Sequence, residues 1–275
     1  MDFEVIMTEK KTLEINPELV SQVLVGFIRH QLHKVGMKRV VVGLSGGVDS
    51  ATSTYLAVRA LGNENVWAIN MPYKSSSPES AGDAGLVIKA LNLASTTIEI
   101  TDMVDAYFAK FPDITPLRKA NRMARERMAI LYDQSVALNA LVLGTGNKTE
   151  ALLGYTTLWG DMACAFNPIG DLYKTQVRQL AKYLGVPQRI IDKPPTADLW
   201  PGQTDEGELG FTYARVDILL YYMIDKHYSF SELESLGFEM DFIDKVFTRV
   251  QRNRFKCTMP PVAKVSGLDF NLPRD

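Results

Sequence analysis

The chain has 275 residues, 46% hydrophobic and 23% charged, with a formal net charge of −2. That composition suits a globular protein and excludes a nucleic-acid binder that relies on a broadly basic surface. No apolar run nears the roughly 18–20 residues needed to span a bilayer; "ILLYYMI" (218–224) is about the longest, and the N-terminal "MDFEVIMTEKK" has no apolar centre of a signal peptide. The two cysteines, Cys164 and Cys257, stand far apart in no metal-ligand pattern, so a reduced cytoplasmic setting is expected.

Short β-branched runs alternate with longer helical patterns. An amphipathic helix is expected over 17–35, then a strand over Arg39–Leu44 and a helix over 50–61. Next come a strand over Val66–Met71, a helix over 79–92, a strand over Thr96–Ile100 and helices over 102–110 and 116–138. The fourth strand is expected over Ala140–Thr145, followed by a helix over 172–187 that Gly185 and Pro187 stop. From about 212 to "FTRVQRNRFK" the tail reads as helical. Such alternation predicts an α/β, doubly wound parallel sheet with helices on both faces and a helical C-terminal region. Two long polar stretches, 74–85 and 193–210, read as mobile linkers or as lids over a site. The organisation expected is one domain over 1–275. Within it lie a first helix (17–37), a nucleotide core (38–192), a site loop (193–211) and a helical part (212–275).

The stretch "GLSGGVDS" (43–50) follows the first strand and opens the next helix. A glycine-rich turn there offers backbone N–H groups and the helix dipole to an anion. Ser45 and Ser50 add hydroxyls, and Gly46 and Gly47 let oxygens approach the backbone closely. A P-loop would carry a lysine, and this turn carries Asp49 instead. A carboxylate beside a triphosphate makes sense where Mg²⁺ lies between them; alternatively, Asp49 simply favours the helix N-terminus.

Further candidates stand downstream. Glu150 follows the fourth strand and is either a second metal carboxylate or a solvated helix-start acid. Lys174, in the first turn of its helix, opposes the helix dipole and either returns the charge that the turn lacks or is a surface lysine. Thr196 follows a Pro-Pro pair in a stretch that composition alone reads as a polar loop. In the helix opened by Thr115 and Pro116, Arg118, Arg122 and Arg125 share one face. That face either grips phosphates or forms a solvated or dimer-facing ridge. His30, His33 and His227 read as structural.

"SGGVDS" resembles the signature of the ATP pyrophosphatases, the PP-loop adenylating enzymes. "NRMARERM", "GTGNKTE", "GYTTLWGD" and "KPPTADLWPGQTDE" narrow the likeness to the NAD synthetase family, over about residues 17–264. The resemblance implies an adenine nucleotide alpha hydrolase-like fold. It also implies ATP-dependent amidation of nicotinic acid adenine dinucleotide (deamido-NAD⁺) with ammonia, giving NAD⁺, AMP and pyrophosphate through an acyl-adenylate. Carried over by position, the ATP loop is Gly43, Leu44, Ser45, Gly46, Gly47, Val48, Asp49 and Ser50. Mg²⁺ falls to Asp49 and Glu150, further ATP contacts to Thr145, Lys174 and Thr196, and the dinucleotide to Arg125 and Lys256. Two positions depart from the family pattern: Leu158 and Ala165 stand where a lysine and an aspartate are expected. Glutamine-using relatives carry an additional amidase domain, for which residues 1–38 are too few, so free ammonia is the expected donor. The resemblance also implies a homodimer. The competing readings are another PP-loop amidating enzyme, such as a purine-nucleotide synthetase, and a non-catalytic nucleotide sensor.

Overall fold

Val40, Val41 and Val42 are each fully buried, and they set the centre of the fold. The computed structural model describes residues 13–196 and 204–263. These valines belong to β1 (Arg39–Gly43), which pairs in parallel with β2 (Val66–Asn70) on one side and β4 (Ala140–Val142) on the other. β3 (Ala94–Thr97) lies beyond β2, giving the order β3-β2-β1-β4.

Side chains alternate across a strand, so Val40 and Val42 enter one core cluster and Val41 another. The first cluster takes Ile28 and Leu32 from α1 (Pro17–Lys34), Leu56 from α2 (Val48–Leu61) and Val87 from α3 (Pro78–Leu91). Val177 and Leu180 join it from α7 (Lys174–Leu184), which follows a short α6 (Lys148–Leu153). The opposite cluster takes Val104 and Phe108 from α4 (Thr101–Phe108) and Met123 from α5 (Pro116–Ala137). The α/β sheet is thus covered on both faces, as the alternation of elements predicts. After the short α8 (Gln188–Asp192) and α9 (Asp205–Leu209), the tail folds as α10 (Tyr213–Leu220), α11 (Phe230–Ser235) and α12 (Met240–Asn253). These helices close a third cluster over Leu153 and Tyr173.

The chain runs outward from β1 to β3, then returns to the far side of β1 as β4. Loops leaving the carboxyl ends of β1 and β4 therefore diverge, and a crevice opens between them.

Three elements differ from expectation. β3 begins two residues earlier than predicted, in the weakly patterned Ala94–Ser95; Ile98 and Ile100 still donate to the carbonyls of Asn70 and Pro72 at 2.9 Å each. β4 ends at Val142 rather than Thr145, because Leu143 turns to bridge Phe166. The polar stretch 74–85 is a loop only as far as Ser77, which caps α3; Asp83 is polar yet buried, paired to Lys193 and Arg189. In the second polar stretch, 197–203 lie outside the described residues, and the remainder carries α9.

Candidate active site

The crevice is a cleft of about 1070 Å³. Around it stand the turn residues Gly43, Leu44, Ser45, Gly47, Val48, Asp49 and Ser50, with Thr145, Glu150, Lys174, Thr196 and Lys256. Gly46 and Arg125 are not among its walls.

Hydroxyls shape the turn from within. Ser45 Oγ accepts the Gly47 N–H at 3.3 Å, and Ser50 Oγ donates to the Gly47 carbonyl at 3.1 Å. Gly46 adopts φ +83°, and a Cβ there would lie 2.2 Å from the Ser80 carbonyl of α3. Its glycine therefore serves the packing of α3 against the turn. Gly47 caps α2 without any side-chain bond, so the first N–H groups of α2 have no helical partner and are available to an anion.

Beside this turn, Lys174 lies between two acids. Its Nζ is 2.5 Å from Asp49 Oδ2 and 3.1 Å from Glu150 Oε1. Asn147 fixes both carboxylates: its Nδ2 donates to Asp49 Oδ1 at 3.0 Å, and its backbone N–H donates to Glu150 Oε2 at 3.3 Å. Glu150 returns a backbone N–H to Asn147 Oδ1 at 2.9 Å, completing a capping box at the start of α6. Glu150 is therefore a helix-start acid, as one reading of the sequence has it, and it is also a partner of Lys174, which the sequence reading did not foresee. Burial alone would push the Lys174 ammonium down, but Asp49 and Glu150 together overcome it and hold its pKa above the ordinary range. Burial pushes Glu150 up to about 7 against the pull of Lys174, because two carboxylates share one ammonium.

Behind this trio is a support that sequence reasoning missed. Asp217, fully buried on α10, accepts the Thr149 hydroxyl at 2.6 Å and the Thr175 N–H at 2.8 Å. Thr149 Oγ1 in turn accepts the Lys174 N–H at 3.0 Å. The Tyr213 ring lies 5.2 Å from Lys174 Nζ, and its hydroxyl donates to Asp205 Oδ2 at 3.1 Å. One signal was available: an acid inside the apolar run "VDILL" (216–220) requires buried partners.

The arginine face of α5 turns away from the cleft. Arg118 covers the Phe111 ring, Arg122 pairs with Glu126, and exposed Arg125 donates to the Leu158 carbonyl at 3.1 and 3.2 Å. The arginine of α5 that lines the cleft is Arg127, whose Nε donates to the Met71 carbonyl at 3.0 Å; Arg249 of α12 also lines it. Lys256 reaches the cleft from beyond α12, donating to the carbonyls of Gly154 at 2.8 Å and Thr156 at 3.0 Å. None of the three histidines lines the cleft.

Together, the switch-point cleft and a lysine-free anion turn beside two paired acids define a nucleotide-binding α/β enzyme. Residues 20–260 match the family model NAD synthase. An NH(3)-dependent NAD(+) synthetase of Trichlorobacter lovleyi is 54% identical over 267 residues, covering 96% of this chain and 98% of that one. Among solved structures, the NH3-dependent NAD synthetase of Campylobacter jejuni, in complex with nitrate, superposes with a TM-score of 0.78 at 36% identity. It covers 91% of this chain and 100% of that one. The NMN synthetase of Francisella tularensis gives 0.79 at 34%, covering 91% and 99%. The chain belongs to the NAD synthase family, and it is a ligase that forms a carbon–nitrogen bond.

Proposed function

We propose that the chain makes NAD⁺ from deamido-NAD⁺, ATP and ammonia by way of an acyl-adenylate. The observation that carries the reading is the Lys174 ammonium held by Asp49 and Glu150 beside the open N-terminus of α2. The substrate's nicotinate carboxylate oxygen attacks the α-phosphorus of ATP, and the bond to the β-phosphate breaks as pyrophosphate leaves. Ammonia then adds to the activated carbonyl carbon, and the carbon–oxygen bond to AMP breaks. The main-chain amides of the turn receive the phosphates and Lys174 offsets the developing charge, with Thr145 and Thr196 contacting ATP.

Mg²⁺ fits the donor set: two hard carboxylates, Asp49 and Glu150, converge on one cationic point, and Mg²⁺ takes one or two such ligands with phosphate oxygens and waters. When bound there, the ion would neutralise triphosphate charge. Among the described residues no three His, Cys, Asp or Glu side chains gather at a metal-binding distance, so ATP phosphate oxygens and water would supply the remaining ligands. Lys256 holds the dinucleotide inside the cleft. Exposed Arg125 meets the dinucleotide at the interface of a homodimer. Cys164 and Cys257 are free thiols, in keeping with a cytoplasmic setting. Among the described residues no helix is long and apolar enough to cross a membrane.

The test incubates the protein with ATP, Mg²⁺, ammonium and deamido-NAD⁺, with nicotinic acid mononucleotide as the alternative acceptor. NAD⁺, AMP and pyrophosphate in equal amounts support the reading. ADP and phosphate would reject adenylation. Binding without turnover would favour a nucleotide sensor, and preference for a purine nucleotide another amidating enzyme.

A further inference from the structure

Asp205 opens α9 on the cleft wall, yet only 4% of it is exposed. Tyr213, itself buried, donates its hydroxyl to Oδ2 and so fixes the carboxylate's orientation. The other oxygen, Oδ1, is buried with no hydrogen-bond partner. A buried acceptor left unpaired is costly, and more so when it carries charge, so an occupant that donates a hydrogen bond is called for.

Local charge narrows the occupant further. Asp49, Glu150 and Asp205 all act on the single ammonium of Lys174, but that ammonium is already committed to Asp49 and Glu150. Arg249, the other cation on this wall, faces Tyr155 and Glu208. Lys174 and Arg249 thus answer four acids, Asp49, Glu150, Asp205 and Glu208, and this end of the cleft is short of positive charge. The occupant must be cationic, a hydrogen-bond donor, and small enough for a nearly closed position. A divalent metal meets the first demand only, and Asp205 does not gather with Asp49 and Glu150 into a three-acid metal site among the described residues.

We propose that Asp205 Oδ1 seats the ammonium ion and takes one of its protons, leaving the ammonia that attacks the adenylate carbonyl. AMP then departs as the carbon–oxygen bond breaks, and the second proton is lost from the new nitrogen to water. The assignment rests on the adenylation reading above, and the experiment separates the two. Pyrophosphate exchange into ATP, run with deamido-NAD⁺ and Mg²⁺ but no ammonium, reports adenylation alone. NAD⁺ formation against ammonium concentration reports the second step. Asp205→Asn should keep exchange within about twofold while raising the KM for ammonium by roughly 10- to 100-fold, the loss of one charge-assisted hydrogen bond. Tyr213→Phe removes one of the hydroxyls that hold the carboxylate, the other being that of Tyr155. It keeps Oδ1, should raise the KM by a smaller factor with exchange intact, and carries the test if Asp205→Asn does not fold. An unchanged ammonium KM in the folded variant, or loss of exchange together with amidation, would overturn the assignment. Absence of exchange in the unmutated protein would instead fault the adenylation reading.

Discussion

Asp217 accepts the Thr149 hydroxyl at 2.6 Å, and so fixes the residue immediately before Glu150. The same carboxylate takes the N–H of Thr175, immediately after Lys174. One fully buried side chain on α10 thus registers the starts of α6 and α7, and with them Glu150 and Lys174, the ion pair beside Asp49. Asp217→Asn presents an amide N–H₂ where an acceptor is needed, and should cost about 1–3 kcal/mol of stability. Displacement of Lys174 and Glu150 should lower kcat by up to about 100-fold. The penalty should also depend on pH. Burial raises the folded-state pKa of Asp217. The folded state therefore holds that proton more tightly, and the associated stability is present below the unfolded pKa of about 3.9 and lost as pH rises through the folded value. Melting curves should show the gap between the unmutated protein and the asparagine variant narrowing from about pH 4 toward neutrality. A gap that widened would reverse the sign assigned to this group.

Lys174 provides a sharper test of the centre itself. Lys174→Met leaves Asp49 and Glu150 facing each other with their common cation removed, a change worth about 3 kcal/mol or more of stability. Turnover should fall by roughly 100- to 1000-fold, as for loss of one preorganised donor at a developing charge. Arginine should not restore it, since a planar fork cannot replace a compact ammonium between two carboxylates. Adding Glu150→Gln to Lys174→Met should recover part of the lost stability by removing one of the two repelling charges. Thermal denaturation of the three variants decides this, and an additive further loss would contradict the shared-cation description.

The two glycines of the turn are constrained for different reasons. Gly46→Ala must place a Cβ at φ +83°, 2.2 Å from the Ser80 backbone carbonyl, and should lose about 2 kcal/mol or more. Gly47 sits at φ −85°, and its nearest neighbour to a new Cβ is Ser45 Oγ at 3.5 Å. Gly47→Ala should therefore fold nearly normally while weakening ATP binding, because the added methyl stands at the anion's approach. Calorimetric titration with ATP, paired with melting temperatures, distinguishes the two; a large stability loss at Gly47 would mean that its role is conformational.

Much of this arrangement was legible in the chain. Strand and helix alternation predicts the layered parallel sheet, and the turn after β1 marks where Asp49 stands. What periodicity could not supply was direction. It correctly groups Arg118, Arg122 and Arg125 on one face of α5, but only packing decides that this face looks outward while Arg127 looks in. Asp83 defeated the reading of 74–85 as a loop because polarity was taken for exposure, whereas that acid is polar and buried. Asn147 could have been foreseen, since Asn-x-x-Glu is a capping-box spacing. The convergence of Asp205 and Tyr213 on Lys174 could not, because their meeting depends on how the C-terminal helices fold back over α7.

Asp83 leads to the last prediction. Its Oδ2 lies 3.0 Å from Lys193 Nζ, which also donates to Ser80 Oγ at 3.1 Å, while exposed Arg189 adds a second ion pair at 2.7 Å. Ser80 is the residue whose carbonyl abuts Gly46, and Lys193 stands three residues before Thr196. One buried acid therefore ties the anion turn to the opposite wall of the cleft. Asp83→Asn should cost about 3 kcal/mol, most of it through Lys193, because exposed Arg189 is well screened. Lys193→Met should cost much less when added to Asp83→Asn than by itself, a coupling of about 1 kcal/mol or more that urea denaturation of the four proteins in the cycle can measure. The KM for ATP should rise in both single variants, since α3 loses its anchor against the turn. Additive stability losses with an unchanged ATP KM would show that the two side chains act separately and that α3 holds the turn without them.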